Sequence, residues 1–364
     1  MSHDFIMQMR PLFGEEEKRA VCDYMDEDGF ITEFKRTQQF EQMIADYAGA
    51  KHCIIVNNGT ISLTLAAIAV GLKAGDEVIV PNYTMIATPN SVKMFGAIPV
   101  FIDVEPESLC LDIELVRKAI TSRTKAIMLV TANGRYPNVG INAFESLAKE
   151  NGLFLIEDAA QSLGSFYPDG RHLGRAGIVG SFSFSAPKII STGQGGALIT
   201  DDDAIAHKLR RLKDFGRSGG GNDVHDSIGY NFKFTELQAC IGIEQMKNLN
   251  SRVSRKKEIW DLYSNELGGV SGIKLFDHDL KYTAPWFIDC IAQDRDGLIL
   301  HLHSLGIGTR VMYPPINNQK AYKLEGSYPV AEMIGKNGLW LPSSVQLTND
   351  EIRYVCDSIK KYYA

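Results

Sequence analysis

The chain has 364 residues, 45% of them hydrophobic and 23% charged, with a net charge of −6. That length suits two domains with cores that need no disulfides. The acidic balance argues against a nucleic-acid surface, and no apolar run reaches the roughly 18 residues of a membrane span. Six scattered cysteines form no CxxC pair and no cysteine–histidine cluster, which fits a reducing compartment and gives no zinc signature. The opening MSHDFIMQMRPLFGEEEKR has no apolar signal core, so a cytoplasmic location is expected.

In chain order, strand and helix signals alternate through the first two-thirds. KHCIIVNNGT (51–60) is a short strand ending in a polar turn, and ISLTLAAIAVGL (61–72) a buried helix. DEVIVPNYT (76–84) is a strand that Pro81 ends, followed by a helix over 89–95 and the strand AIPVFIDV (97–104). TKAIMLVTANG (124–134) and LFLIEDAAQS (153–162) are strands flanking the helix NAFESLAKENG (142–152). IVGSFSFS (178–185) and GGALITDD (195–202) are two more strands. Such alternation implies a mostly parallel α/β sheet flanked by helices, with ligands at the carboxyl ends of its strands.

After about residue 250 the character changes. SRKKEIWDLYSNELGG (254–269) reads as a long connecting helix, YTAPWFIDCIAQ (282–293) as a strand, and RDGLILHLHSLGI (295–307) as a helix. GTRVMYPP (308–315) reads as a strand and NDEIRYVCDSIKKYY (349–363) as a closing amphipathic helix. The expected division is a large α/β domain over 1–250, opening segment included, and a smaller α+β domain over 251–364. The basic stretches HKLRRLKDFGR (207–217) and SRVSRKKE (251–258) carry apolar residues at helical spacing, and most of their charges read as solvated helix faces.

Four features could carry chemistry, and each has a plainer reading. Lys188, in SFSFSAPKIISTGQGG, either keeps its amine in water at a loop mouth or, desolvated by apolar neighbours, serves as a nucleophile toward a carbonyl. Asp158, after LFLIE, either caps a helix or holds a cationic partner. The NNGT turn (57–60) either caps its helix or offers free amides, through Gly59 and Thr60, to an anion. Ser181, Ser183 and Ser185 share one strand face, lining a pocket or meeting solvent. Together they are the parts pyridoxal 5'-phosphate needs: a Schiff-base lysine, an acidic partner for the pyridine nitrogen and a phosphate cradle.

Along nearly its whole length the sequence resembles the DegT/StrS family of pyridoxal-phosphate-dependent sugar-nucleotide aminotransferases, perosamine-synthase-type members among them. The resemblance rests on FEQMIADYAGAKHCIIVNNGT (40–60), GDEVIVPNYT, TKAIMLV, IEDAAQSLGS, FSFSAPKIISTGQGGALIT, GYNFKFTELQACIGIEQM (229–246) and GIGTRVMYPP, in this order. It implies the fold-type-I aminotransferase architecture. It makes Lys188 the Schiff-base and proton-transfer residue and Asp158 the pyridine-nitrogen partner. Gln161 would lie by the phenolic oxygen, and Gly59, Thr60 and Ser183 would bind the phosphate. Asn231, from a neighbouring subunit, would complete that cradle, so a homodimer with interfacial sites is implied. The implied reaction moves an amino group from L-glutamate to a keto carbon, the fourth, of a nucleotide-linked 4-keto-6-deoxy sugar, without nucleic-acid or membrane partners.

Several positions depart from the family pattern. Where relatives carry an aromatic that stacks on the cofactor, this chain has Met85, with Tyr83 two residues earlier; either the thioether packs on the ring or the register differs. TANG (131–134), including Asn133, replaces a histidine–leucine–tyrosine–glycine run. Asn317 stands for a histidine and Lys233 for an arginine. By the resemblance, these changes would lie around the sugar and nucleotide sites. Two rivals remain, a sugar dehydratase or lyase and a ligand-binding regulator of the same fold. A dehydrating branch of the family has histidine at the Lys188 position, so the lysine speaks against the first rival, and the intact Lys188, Asp158 and Asn231 speak against the second.

Overall fold

The structure, a computed structural model, describes residues 5–219 and 223–364. Helices α1 (Glu15–Asp26) and α2 (Lys35–Ala48) lead into β1 (His52–Val56), α3 (Gly59–Ala69), β2 (Glu77–Pro81), α4 (Ala87–Lys93) and β3 (Ile98–Ile102). Then come α5 (Ile113–Ala119), β4 (Thr124–Val130), α6 (Ile141–Glu150), β5 (Phe154–Asp158), β6 (Val179–Ser183), β7 (Gly196–Thr200) and α7 (Asp203–Lys213). The larger sheet has the order β1-β7-β6-β5-β4-β2-β3. Only β7 runs against its neighbours, with His52 of β1 opposite Thr200 and Val56 opposite Gly196.

Alternation along the strands builds both faces of the core. Ile54 and Val56 turn toward α3 and α7, whereas Cys53 and Ile55 turn toward α2. The runs IMLV and LIED of β4 and β5 are buried throughout, as central parallel strands require. Helix α3 starts two residues before the sequence suggests, because the Asn58 side chain caps it by accepting the Ile61 N–H at 2.9 Å.

The chain continues through α8 (Glu236–Lys247), α9 (Leu249–Leu267), β8 (Ile273–Leu275), β9 (Ile288–Ala292), α10 (Arg295–Ser304), β10 (Arg310–Val311), α11 (Pro329–Asn337), β11 (Gly338–Leu341) and α12 (Asn349–Tyr363). Its second sheet is antiparallel, in the order β10-β11-β9-β8. The strand expected over 308–315 is only two residues long, since Pro314 and Pro315 have no N–H for a ladder. The opening segment divides between the two units. Helix α1 packs on α8, but Ile6 bridges Ile307 and lies in the core of the smaller unit. Among the described residues no helix is long and apolar enough to cross a membrane.

The units meet through buried polar bonds. Arg135, after β4, makes a bidentate pair with Asp289 of β9 at 3.1 and 2.7 Å, and both side chains are buried. A mixed core of Tyr83, Val104, Leu109 and Ala132 with Trp286, Phe287, Met312 and Trp340 surrounds that pair.

Candidate active site

A cavity of about 570 Å³ opens where β2, β4, β5 and β6 end and the smaller unit covers them. Its wall includes Gly59, Thr60, Met85, Asp158, Gln161, Ser183 and Lys188. The sequence therefore placed seven separate candidate residues on one cavity, in keeping with ligand binding at strand carboxyl ends.

Lys188 is half-buried on the loop after β6, with its amine 4.1 Å from the centroid of the Trp286 ring. Burial is the main reason its pKa falls to about 8; the Asp158 carboxylate opposes the fall and the Arg310 cation adds to it. Trp286 braces the same loop, its indole N–H donating to the Pro187 carbonyl at 2.7 Å. Such an amine is a nucleophile at neutral pH.

Asp158 ends β5, and turns rather than a helix follow it, so it caps no helix. Its carboxylate accepts Thr88 Oγ1–H at 2.7 Å and the Ala160 N–H at 3.2 Å. Burial raises its pKa, against those two hydrogen bonds and the charge of Lys188. No cation pairs with it within 4 Å among the described residues, so the cavity offers a buried carboxylate suited to a cationic ligand group.

Opposite, Gly59 and Thr60 open α3 and precede the first amide that Asn58 caps. A Cβ on Gly59 would lie 2.9 Å from Ser183 Cβ, and one on Gly196 would lie 2.4 Å from the Asn58 carbonyl oxygen. Only glycines let this turn, β6 and β7 converge so closely. The result is a helix N-terminus beside the Ser183 and Ser185 hydroxyls, a site for an anion. Ser181 lies deeper, bonded to Ser62 Oγ.

The departures noted in the sequence resolve into specific contacts. Met85 lines the cavity at 46% exposure, whereas Tyr83 is buried in the junction core. Asn317 lies off the cavity and pairs with Asn82, accepting from Asn82 Nδ2 at 2.7 Å and donating its N–H to Asn82 Oδ1 at 2.9 Å. Lys233 pairs with Asp214 at 2.6 Å. Asn231 is exposed and lines no part of the cavity of its own chain. Trp286, Arg310, Tyr313 and Thr84 also line the wall, and nothing in their local patterns marks them, since the cavity alone brings them there.

Residues 11–360 match the DegT/DnrJ/EryC1/StrS aminotransferase family. The GDP-perosamine synthase of Escherichia coli O157:H7 is 33% identical over 364 residues, covering 99% of each chain. That of Vibrio cholerae is 32% identical, covering 97% of this chain and 98% of its own. Among solved structures, S. venezuelae DesV in complex with a ketimine intermediate superposes with a TM-score of 0.90 at 32% identity, covering 98% of this chain and 99% of that one. Fold, cavity and sequence thus agree, and the chain belongs to the DegT/DnrJ/EryC1/StrS aminotransferase family.

Proposed function

We propose that this protein uses pyridoxal 5'-phosphate to move an amino group from L-glutamate to the fourth carbon of a nucleotide-linked 4-keto-6-deoxy sugar. One observation carries the reading: a single cavity holds a lysine with a depressed pKa, a buried carboxylate lacking a cation, and an anion-binding helix start. The similarity to two GDP-perosamine synthases supports the substrate class.

The residues fit the cofactor. Lys188 Nζ would join its aldehyde and then carry the proton between the carbons that exchange it. Asp158 would hold the pyridine nitrogen protonated, with Thr88 and Ala160 keeping the carboxylate in place. The Gly59 and Thr60 amides and the Ser183 hydroxyl would take the phosphate. Bound there, the cofactor supplies an electron sink for the carbon that gains or loses nitrogen. A second copy of the chain would bring Asn231 to the cradle; the exposed Ile228 and Tyr230 beside it, at 80% and 42% exposure, suit burial between two copies.

The test is the visible spectrum of wild type and Lys188→Ala, before and after glutamate. The expected result is a band in wild type that glutamate bleaches, absent or unresponsive in the variant. No band after incubation with pyridoxal phosphate would overturn the reading. Turnover of a keto-sugar nucleotide without any amino donor would favour a dehydratase or lyase instead.

A further inference from the structure

Gln161 is half-buried on the cavity wall, and its amide has one possible orientation. The backbone N–H of Asn133 donates to Gln161 Oε1 at 2.6 Å. A main-chain N–H can only donate, so the NH2 end is left to face the cavity. No acceptor among the described residues takes it.

Asn133 is itself held from the other unit. Its φ of 53° is left-handed, a conformation asparagine tolerates better than most residues. The Phe287 N–H donates to Asn133 Oδ1 at 2.7 Å, and Asn133 Nδ2 donates to the Phe287 carbonyl at 2.9 Å. Backbone chemistry fixes both ends of this amide as well. At 3% exposure Asn133 lines no part of the cavity. A chain of forced hydrogen bonds therefore runs from the smaller unit, beside Trp286, to a free donor on the cavity wall.

We propose that Asn133 is a positioning residue whose clamp on Phe287 locks Gln161 as a hydrogen-bond donor to the phenolic oxygen of the cofactor. The inference rests on the cofactor reading given above. A donor there favours the anionic oxygen. It does so most when the nitrogen joining Lys188 to the cofactor carries no proton, because the oxygen then has no internal partner. The donor therefore lowers the pH at which that nitrogen gives up its proton, and losing the donor raises it.

The experiment titrates the visible absorption of the cofactor-loaded protein for wild type, Gln161→Leu, Asn133→Gly and the double variant. Glycine adopts the left-handed φ without strain but cannot clamp Phe287. Gln161→Leu is expected to raise the midpoint by about one to two pH units, the scale of a hydrogen bond to a charged group. Asn133→Gly is expected to raise it by about half a unit or more, and the double variant to match Gln161→Leu, because both act through one donor. The affinity of the apoprotein for pyridoxal phosphate, read by tryptophan fluorescence, is expected to fall in both single variants. An unmoved midpoint in Asn133→Gly, or shifts that simply add, would overturn the proposal. Should the glycine variant not fold, the uncharged Asn133→Ser, too short to span both Phe287 groups, takes its place; a rise supports the clamp and no rise refutes it. A wild type with no visible band removes the cofactor reading itself, and this inference with it.

Discussion

Arg310→Met tests the electrostatics of the site most directly. Lys188 titrates near about 8 because burial strips water from its ammonium, with Asp158 and Arg310 pulling in opposite senses. At pH 7 such an amine is roughly one-tenth unprotonated, against roughly one part in three thousand for an ordinary lysine. That is a ~300-fold gain in nucleophile. Removing the Arg310 cation should raise the midpoint. A charge ~8 Å away in an effective dielectric of ~20 shifts a pKa by about 1.5 units. Arg310 is exposed, and screening cuts that to about half to one unit. The assay is the rate at which apoprotein captures pyridoxal phosphate between pH 6 and 10, with Lys188→Ala as the blank for surface lysines. Asp158→Asn, which removes the opposing charge, should move the midpoint down. A wild-type midpoint near 10, or an Arg310→Met midpoint that stays put or falls, would refute the reasoning.

Other perturbations have equally definite signs. Asp289→Ala strands the buried Arg135 guanidinium, and should cost about 3–5 kcal/mol in denaturant unfolding at constant slope, while Arg135→Met/Asp289→Leu recovers most of it. Lys256 is fully buried, donating to the Trp286 and Ser343 carbonyls, and burial lowers its pKa to about 7. Between pH 7 and 10.5 the unfolded chain holds that proton more tightly than the folded one, so folded stability rises with pH across the window. Lys256→Met should remove about 1 kcal/mol of that rise per pH unit in unfolding measured from pH 7.5 to 9.5. Gly180→Ala would put a Cβ 2.0 Å from the Gly174 carbonyl oxygen, and soluble expression should be lost; a variant with wild-type melting would refute that packing.

Local pattern carried some of this structure and not the rest. Apolar runs such as IMLV revealed the central strands because a strand buried on both faces has no polar side. The closing helix was legible over 349–363, where its apolar stripe and Thr348 capping box agree. Helices α1, α2 and α8 went unread: α8 is buried on more than one side and shows no single apolar stripe, and α1 and α2 carry few apolar residues among many charged and polar ones. In the site, Lys188 and Asp158 stood out because charge is rare beside apolar runs. Arg310 and Trp286 did not, because a surface arginine and a core tryptophan look ordinary until the smaller unit folds over the cavity. Asn133 and Asn317 were visible as departures, but their pairing with Phe287 and Asn82 spans more than 150 positions of chain in each case, and no local reading reaches that far.

The sheet order also fixes when things happen. Strand β1 is the first of its sheet to be synthesised, yet its only partner among the described residues is β7, so His52 waits for Thr200. The turn that follows β1 closes against Ser183 and Gly196, which emerge from the ribosome well over a hundred residues later. The convergence of this turn with β6 and β7 is therefore among the last parts of the larger unit to exist, and a nascent chain cannot use an anion held there as an early template. A ligand that binds there reports on a nearly completed sheet.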